Sequence, residues 1–177
     1  HVRSRRQRQM CIRDSHYGMK TERNGPSALE DYFRQEGVSL SILRDNAKME
    51  AGYQWNELLR KYWVKDLFTE PYHANQNPFE RAFASHKEKI ERVMIDSSCD
   101  PKAWFKAACH VADISNHTAA QPLDYRTPIE VRDGETPDIS ALCQFQFWEL
   151  VYYQKHDTFP KQAGNEALGR WLGRASN

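Results

Sequence analysis

The run Val38-Ser39-Leu40-Ser41-Ile42-Leu43 sets Val38, Leu40 and Ile42 against Ser39 and Ser41. A period of two is the signature of a strand with one buried face. The segments on either side carry the other period. From Ser27 to Gln35, Leu29, Tyr32 and Phe33 share one helical face, Ser27-x-x-Glu30 reads as a capping box, and Gly37 suits a helix stop. From Gly52 to Tyr62, Trp55, Leu58, Leu59 and Tyr62 fall on one side. Val64 to Phe68 reads as a second short strand, and His16 to Thr21 as a strand remnant.

Further on, Phe79, Phe83, His86, Ile90, Val93 and Met94 follow helical spacing. Pro101 opens another helix, predicted to turn Trp104, Phe105, Ala108, Val111 and Ala112 inward. Helix, strand, helix, strand, helix, helix is the order of a sheet covered by helices, an α/β fold. Thr127-Pro128-Ile129-Glu130 is a capped helix start that Gly134 ends quickly. Gln144 to Tyr153 is dense in β-favouring residues, with an alternation that breaks at Trp148. Leu168 to Leu172 suits a further strand.

With 40% apolar and 12% aromatic residues in 177, the chain can build a core, in one domain or one domain plus a small module. No stretch has the ~18 uninterrupted apolar residues that read as a transmembrane helix, so no membrane partner is expected. Four scattered cysteines do not make a disulfide framework and point to a reducing compartment. The formal charge of +1 hides an asymmetry: residues 1–15 hold five Arg and one Asp, and the remainder is net −3. Overall charge therefore gives little support for nucleic-acid binding.

The chemistry concentrates after the two strands. In Thr69 to Arg81 an extended polar stretch runs into a helix, with Asn77 suited to the N-cap, Pro78 to the first helical position and Glu80 to the first turn. Asp45 follows the first strand directly. A carboxylate at a strand end and another at a helix start can meet and hold a divalent metal. The bland alternatives are that Glu80 only completes a capping box with Asn77, and that Asn46 is a turn residue. His86 lies on an apolar stripe and reads as a core histidine, while Lys89 and Arg92 suit a solvated face. His110, His117, Cys99, Cys109 and Cys143 lack zinc-finger spacing. Trp148, Tyr152 and Tyr153 suit a barrel core better than a base-stacking platform.

Leu43-Arg44-Asp45-Asn46-Ala47-Lys48, Thr69-Glu70-Pro71-Tyr72 and Gln76-Asn77-Pro78-x-Glu80-Arg81 together resemble the integrase core of copia-type LTR retrotransposons. Arg126-Thr127-Pro128-Ile129-Glu130 and Gly134-x-Thr136-Pro137-Asp138-Ile139-Ser140 are similar to the segment after that core. Phe147-Trp148-x-x-Val151-Tyr152-Tyr153 and Gly169-Arg170-x-x-Gly173 resemble the Src-homology-3-like barrel that follows, in wording close to diatom and algal elements. The resemblance covers Tyr17 to the end. It implies an RNase H-like core (residues 16–120), a linker (121–137) and a partial small β-barrel (138–177). It also implies a D-D-E site in which Asp45 and Glu80 take the second and third positions.

Carboxylates suit hard Mg²⁺ (or Mn²⁺), and two such ions ~3.5–4 Å apart assist an in-line phosphoryl displacement. The implied partners are DNA, as element ends and target, and further copies of the full-length protein. The implied DNA contacts are Asn46, Tyr72, Gln76, Asn77, Arg81 and Lys87. In related integrases the residues four and seven after the Glu present Lys; here they are Ala84 and Lys87, so the first departs. The first Asp has no match, which implies an N-terminally truncated core inactive on its own. The implied location is intracellular, a cytoplasmic particle and then the nucleus.

Met10 to Ser15 resembles a translated transposase-end sequence from sequencing libraries, which makes residues 1–15 a library scar; the alternative is a genuine basic arm. Two other readings stay open: a non-catalytic nucleic-acid-binding fragment, and another RNase H-like nuclease or transposase.

Overall fold

The computed structural model describes residues 18, 19, 21–44, 52–68, 78–155 and 166–174. Two compact units divide the chain, Tyr17–Ser85 and a second that holds His86–Asn177.

The first unit opens with a 3₁₀ turn, Glu22–Asn24, and helix α1, Gly25–Glu36. Gly18, Met19 and Thr21 are not in a strand, unlike the strand remnant read there from sequence. The capping box read at Ser27 is also corrected. The helix starts two residues earlier because Pro26 fits its first turn, and Asn24 stands at the N-cap. Glu30 therefore lies inside the helix, where its carboxylate takes hydrogen bonds from Lys61 (2.9 Å) and Tyr62 (3.1 Å). Gly37 ends α1 as expected, at φ 89°, with its N–H on the Phe33 carbonyl.

Strand β1 is Ser41–Arg44, shorter than the alternating run, and Leu40 is solvent-exposed. Helix α2, Tyr53–Lys61, follows from Gly52 and leads to strand β2, Lys65–Phe68. Trp55, Leu58 and Leu59 are the buried face of α2, as its period required. Phe33, Trp55, Leu59 and Val64 form the core, with Leu29, Tyr32, Ile42 and Tyr62 packed against it. Each such side chain contributes roughly 1.5–3 kcal/mol on full burial. Phe33 and Tyr62 meet edge to face at 5.3 Å between centroids. The two strands pair in parallel, Ser41 with Lys65 through to Arg44 with Phe68. Parallel strands need a crossover, and α2 supplies it.

Helix α3, Pro78–Asp96, runs from the first unit into the second. His86 on it is buried, in keeping with a core histidine. Asp100 caps the turn Pro101–Ala103 by accepting from the Lys102 N–H (2.8 Å), and helix α4, Trp104–Asn116, follows. Its buried face is Ala107, Ala108, Val111 and Ala112, small residues that allow close approach. Trp104 was expected inward but is exposed: the 3₁₀ turn uses up the first residues, and Ala107 takes the inward position.

Helix α5, Pro128–Asp133, has the expected capping box. Thr127 Oγ1 accepts from the Glu130 N–H (3.1 Å), Glu130 Oε2 accepts from the Thr127 N–H (3.4 Å), and Gly134 stops the helix at φ 80°. Strands β3, Leu150–Gln154, and β4, Glu166–Arg170, form an antiparallel pair. The β-rich run from Gln144 does not start as strand. A 3₁₀ turn, Ser140–Leu142, precedes it, and Trp148 sits at φ 67°, which breaks the extended path. The Trp148 N–H then reaches the Trp171 carbonyl (2.7 Å), and the Trp171 N–H the Glu149 carbonyl (2.8 Å).

Within this unit the end of the hairpin packs on α4. Phe147 lies 5.1 Å from the His110 ring, and Gly173, at φ 119°, passes so close that a Cβ there would sit 3.4 Å from His110 Nδ1. Arg174 donates to Asp113 (3.0 and 3.3 Å) and to His117 Nε2 (2.8 Å).

Candidate functional site

β1 and β2 end level, because Arg44 is the register partner of Phe68. Asp45 is the next residue after Arg44, and the chain that leads to Glu80 leaves from the end of β2. Both therefore depart from the carboxyl ends of neighbouring parallel strands. That edge is where open α/β sheets hold their ligands, since loops there converge without a strand to block them.

Asp45 and Asn46 lie outside the described residues, as do Tyr72, Gln76 and Asn77. Glu80 and Arg81 occupy the first turn of α3. Lys87 is exposed two turns further on, seven positions after Glu80, and so on the same side of the helix. Ala84, one turn after Glu80, is exposed too and offers no charge.

The end of β1 carries an arrangement that the sequence reading missed. Arg44 is buried, and its guanidinium makes two bonds to Asp66 on β2: Nε to Oδ1 at 2.8 Å and Nη2 to Oδ2 at 2.5 Å. It also lies over the Phe68 ring at 4.3 Å and within 5.9 Å of Trp55. A bidentate pair with aromatic faces on the guanidinium is the geometry Arg favours when desolvated. A signal existed: Arg44 lies two residues after Ile42, so a strict period of two points it to the core side.

Among the described residues no group of three or more His, Cys, Asp or Glu side chains could hold a metal. Asp66, the acid nearest the strand ends in β2, is engaged by Arg44.

Other titratable groups belong to the second unit. Burial pushes the Cys109 thiol up, against the opposing charge of Lys106. Burial pushes His110 down, against the pull of Asp113, and its Nδ1 has no hydrogen-bond partner among the described residues.

The fold resembles that of retroviral integrase catalytic cores. The HTLV-2 integrase catalytic core domain, solved in complex with magnesium in a trimeric form, matches with a TM-score of 0.52 at 17% identity, over 64% of this chain and 71% of that one. The simian T-cell lymphotropic virus intasome, solved in complex with PP2A regulatory subunit B56 gamma, matches at 0.58 and 16% identity, over 88% of this chain but 55% of that one. The BIV integrase catalytic core domain matches at 0.50 and 18%, over 67% and 74%. No protein-family model matches the sequence, and no curated protein sequence matches it. Among the described residues no helix is long and apolar enough to cross a membrane.

Proposed function

We propose that this chain is part of a copia-type LTR retrotransposon integrase, of the diatom and algal kind, a polynucleotidyl transferase that joins element ends to target DNA. One observation carries the reading: β1 and β2 end level in a fold shared with integrase cores, so Asp45 and the segment leading to Glu80 leave the sheet side by side. Asp45 and Glu80 would hold Mg²⁺ or Mn²⁺. The bound ion would stabilise charge on the attacking and leaving oxygens of a phosphodiester. Lys87, with Arg81, Asn46, Tyr72, Gln76 and Asn77, would hold the DNA. Lys87 is the described member of that set whose exposure suits a phosphate contact.

The same reading takes the β3–β4 pair as the beginning of a Src-homology-3-like barrel, and the functional form as a homo-oligomer acting in a cytoplasmic particle and then the nucleus. Because the first carboxylate of the D-D-E set has no counterpart in this sequence, the chain alone binds metal weakly and does not catalyse. Titration of the chain with Mn²⁺, followed by electron paramagnetic resonance, tests the site. Binding that is lost in both Asp45→Asn and Glu80→Gln supports it. Binding that is absent in the wild type, or unchanged in both variants, refutes it.

A further inference from the structure

Beside the strand ends, the first unit carries an open groove of about 740 Å³ between the end of α2 and β2. Leu59, Arg60, Trp63, Val64, Lys65 and Phe68 line it. Leu59 and Val64 are buried and form its floor. Trp63 stands out from it, 94% exposed. A tryptophan so placed gives up the burial that its large apolar surface usually secures.

Trp63 is also backbone-strained. Its φ is 56°, the left-handed region where a Cβ is penalised and glycine is the usual residue after a helix. The helix end forces this. Trp63 N–H reaches the Arg60 carbonyl at 3.2 Å, and Val64 N–H reaches the Leu59 carbonyl at 2.9 Å. The position suits glycine on conformation and a polar residue on solvation, yet tryptophan occupies it. Strain and exposure together mark a side chain kept for something it touches.

The charge around it identifies the class of partner. Arg60 precedes Trp63 by one helical turn with an 81% exposed side chain, and exposed Lys65 follows two residues later. Glu57 is 3.8 Å from Arg60, a loose exposed pair of little worth. The groove's own acid, Asp66, is neutralised by Arg44 through two hydrogen bonds. Two exposed cations that line the same groove as an exposed indole, with an apolar floor, match a single nucleic-acid strand: a base stacks on the ring and neighbouring phosphates meet the cations. A second copy of the chain fits less well. A two-fold contact through this face would set Arg60 and Lys65 against themselves.

We infer that the groove at Trp63, Arg60 and Lys65 binds single-stranded DNA. Only the choice of DNA over RNA rests on the integrase reading. The site needs no metal, so it can be tested in EDTA, where the Asp45–Glu80 proposal plays no part.

The experiment is fluorescence anisotropy of a labelled oligo-dT with the full 177-residue chain, in EDTA, across a salt series. The arginines of residues 1–15 are common to every variant and cancel in the comparison. Trp63→Gly removes the ring at a position glycine fits, so its melting temperature should rise while affinity falls roughly five- to hundred-fold. Arg60→Gln/Lys65→Gln should flatten the slope of log affinity against log salt by about 1.4, two phosphates at ~0.7 each. Lys102→Gln/Lys106→Gln, the same charge change in the other unit, should leave the loss of affinity far smaller. Equal binding by wild type and Trp63→Gly overturns the inference. So does an equal loss in the two double-charge variants, or a Trp63-dependent dimer in sedimentation with no oligonucleotide bound. An oligo-rU bound more tightly than oligo-dT overturns the choice of DNA.

Discussion

Arg44 at the end of β1 and Asp66 on β2 hold each other by two hydrogen bonds across the parallel pair, with the Arg44 side chain 3% exposed and the Asp66 side chain 24%. Asp66 pairs in register with Ile42, so the bridge runs diagonally from the strand end back into the sheet. It cross-links the two strands next to where the chain passes to Asp45. Removing one partner strands a charge. Arg44→Met or Asp66→Asn is expected to cost about 3 kcal/mol, at the lower end for a buried pair because Asp66 is partly solvated. Urea unfolding of the two single variants and the double variant reads this as a coupling energy. Additive losses would show that the pair does not act as a unit.

The capping box of α5 joins Thr127 and Glu130 reciprocally. Thr127→Ala should cost about 1 kcal/mol. In a helix of six residues the effect is local, so amide exchange across residues 128–133 is the sensitive readout. Unchanged exchange there would mean that packing, not the cap, holds the turn.

His110 is held neutral by burial, and its ordinary value is 6.5. With the folded value depressed, the unfolded chain takes up the proton first. Stability is therefore complete above pH 6.5 and falls as the pH drops below it, levelling only once the folded histidine is also protonated. The Asp113 charge limits the drop. His110→Phe keeps a ring against Phe147 and should flatten denaturation midpoints between pH 7 and 5. A wild type flat over that range contradicts the account.

Arg174 can only donate, so His117 Nε2 accepts from it and the ring proton sits on Nδ1, facing the Asp113 carbonyl at 2.7 Å. Asp113 thereby serves both Arg174 and His117. Arg174→Ala should raise amide exchange around residues 171–174 at least several-fold, with little change in β1 and β2. Exchange that rises equally in both units would show global destabilisation instead.

Strand transfer by the purified chain on a pre-cut element end, with Mn²⁺ supplied, should give no joined product. On the proposed reading, Asp45 and Glu80 are two of the three carboxylates that D-D-E chemistry takes. Joined product would overturn that part of the proposal.

What was legible in the sequence was what repeats. The period of Trp55, Leu58 and Leu59 located α2 and its buried face, and the alternation ending at Ile42 located β1. Thr127-Pro128-x-Glu130 was read to the residue because a reciprocal cap needs no tertiary partner. What was hidden depended on residues far apart in sequence. Nothing near Glu30 announces Lys61 and Tyr62, which take the carboxylate that the sequence assigned to a cap. Nothing near Arg44 announces Asp66. The Gln144–Tyr153 run misled by composition, since aromatic residues favour strands whether or not the backbone stays extended, and Trp148 turns it. In the candidate site, position relative to the strand and the helix singles out Asp45 and Glu80 in the sequence, and their side chains lie outside the described residues. The level strand ends were not, because register between parallel strands depends on how α2 packs.

The measurement that bears most directly on the central claim is a crystal structure of the chain soaked in Mn²⁺, with anomalous data collected for the metal. The account predicts a peak within coordination distance of the Asp45 and Glu80 carboxylates, at the edge where β1 and β2 end. Carboxylates that point apart, with Glu80 bonded only to the N-terminal amides of its own helix and no peak between them, would contradict it.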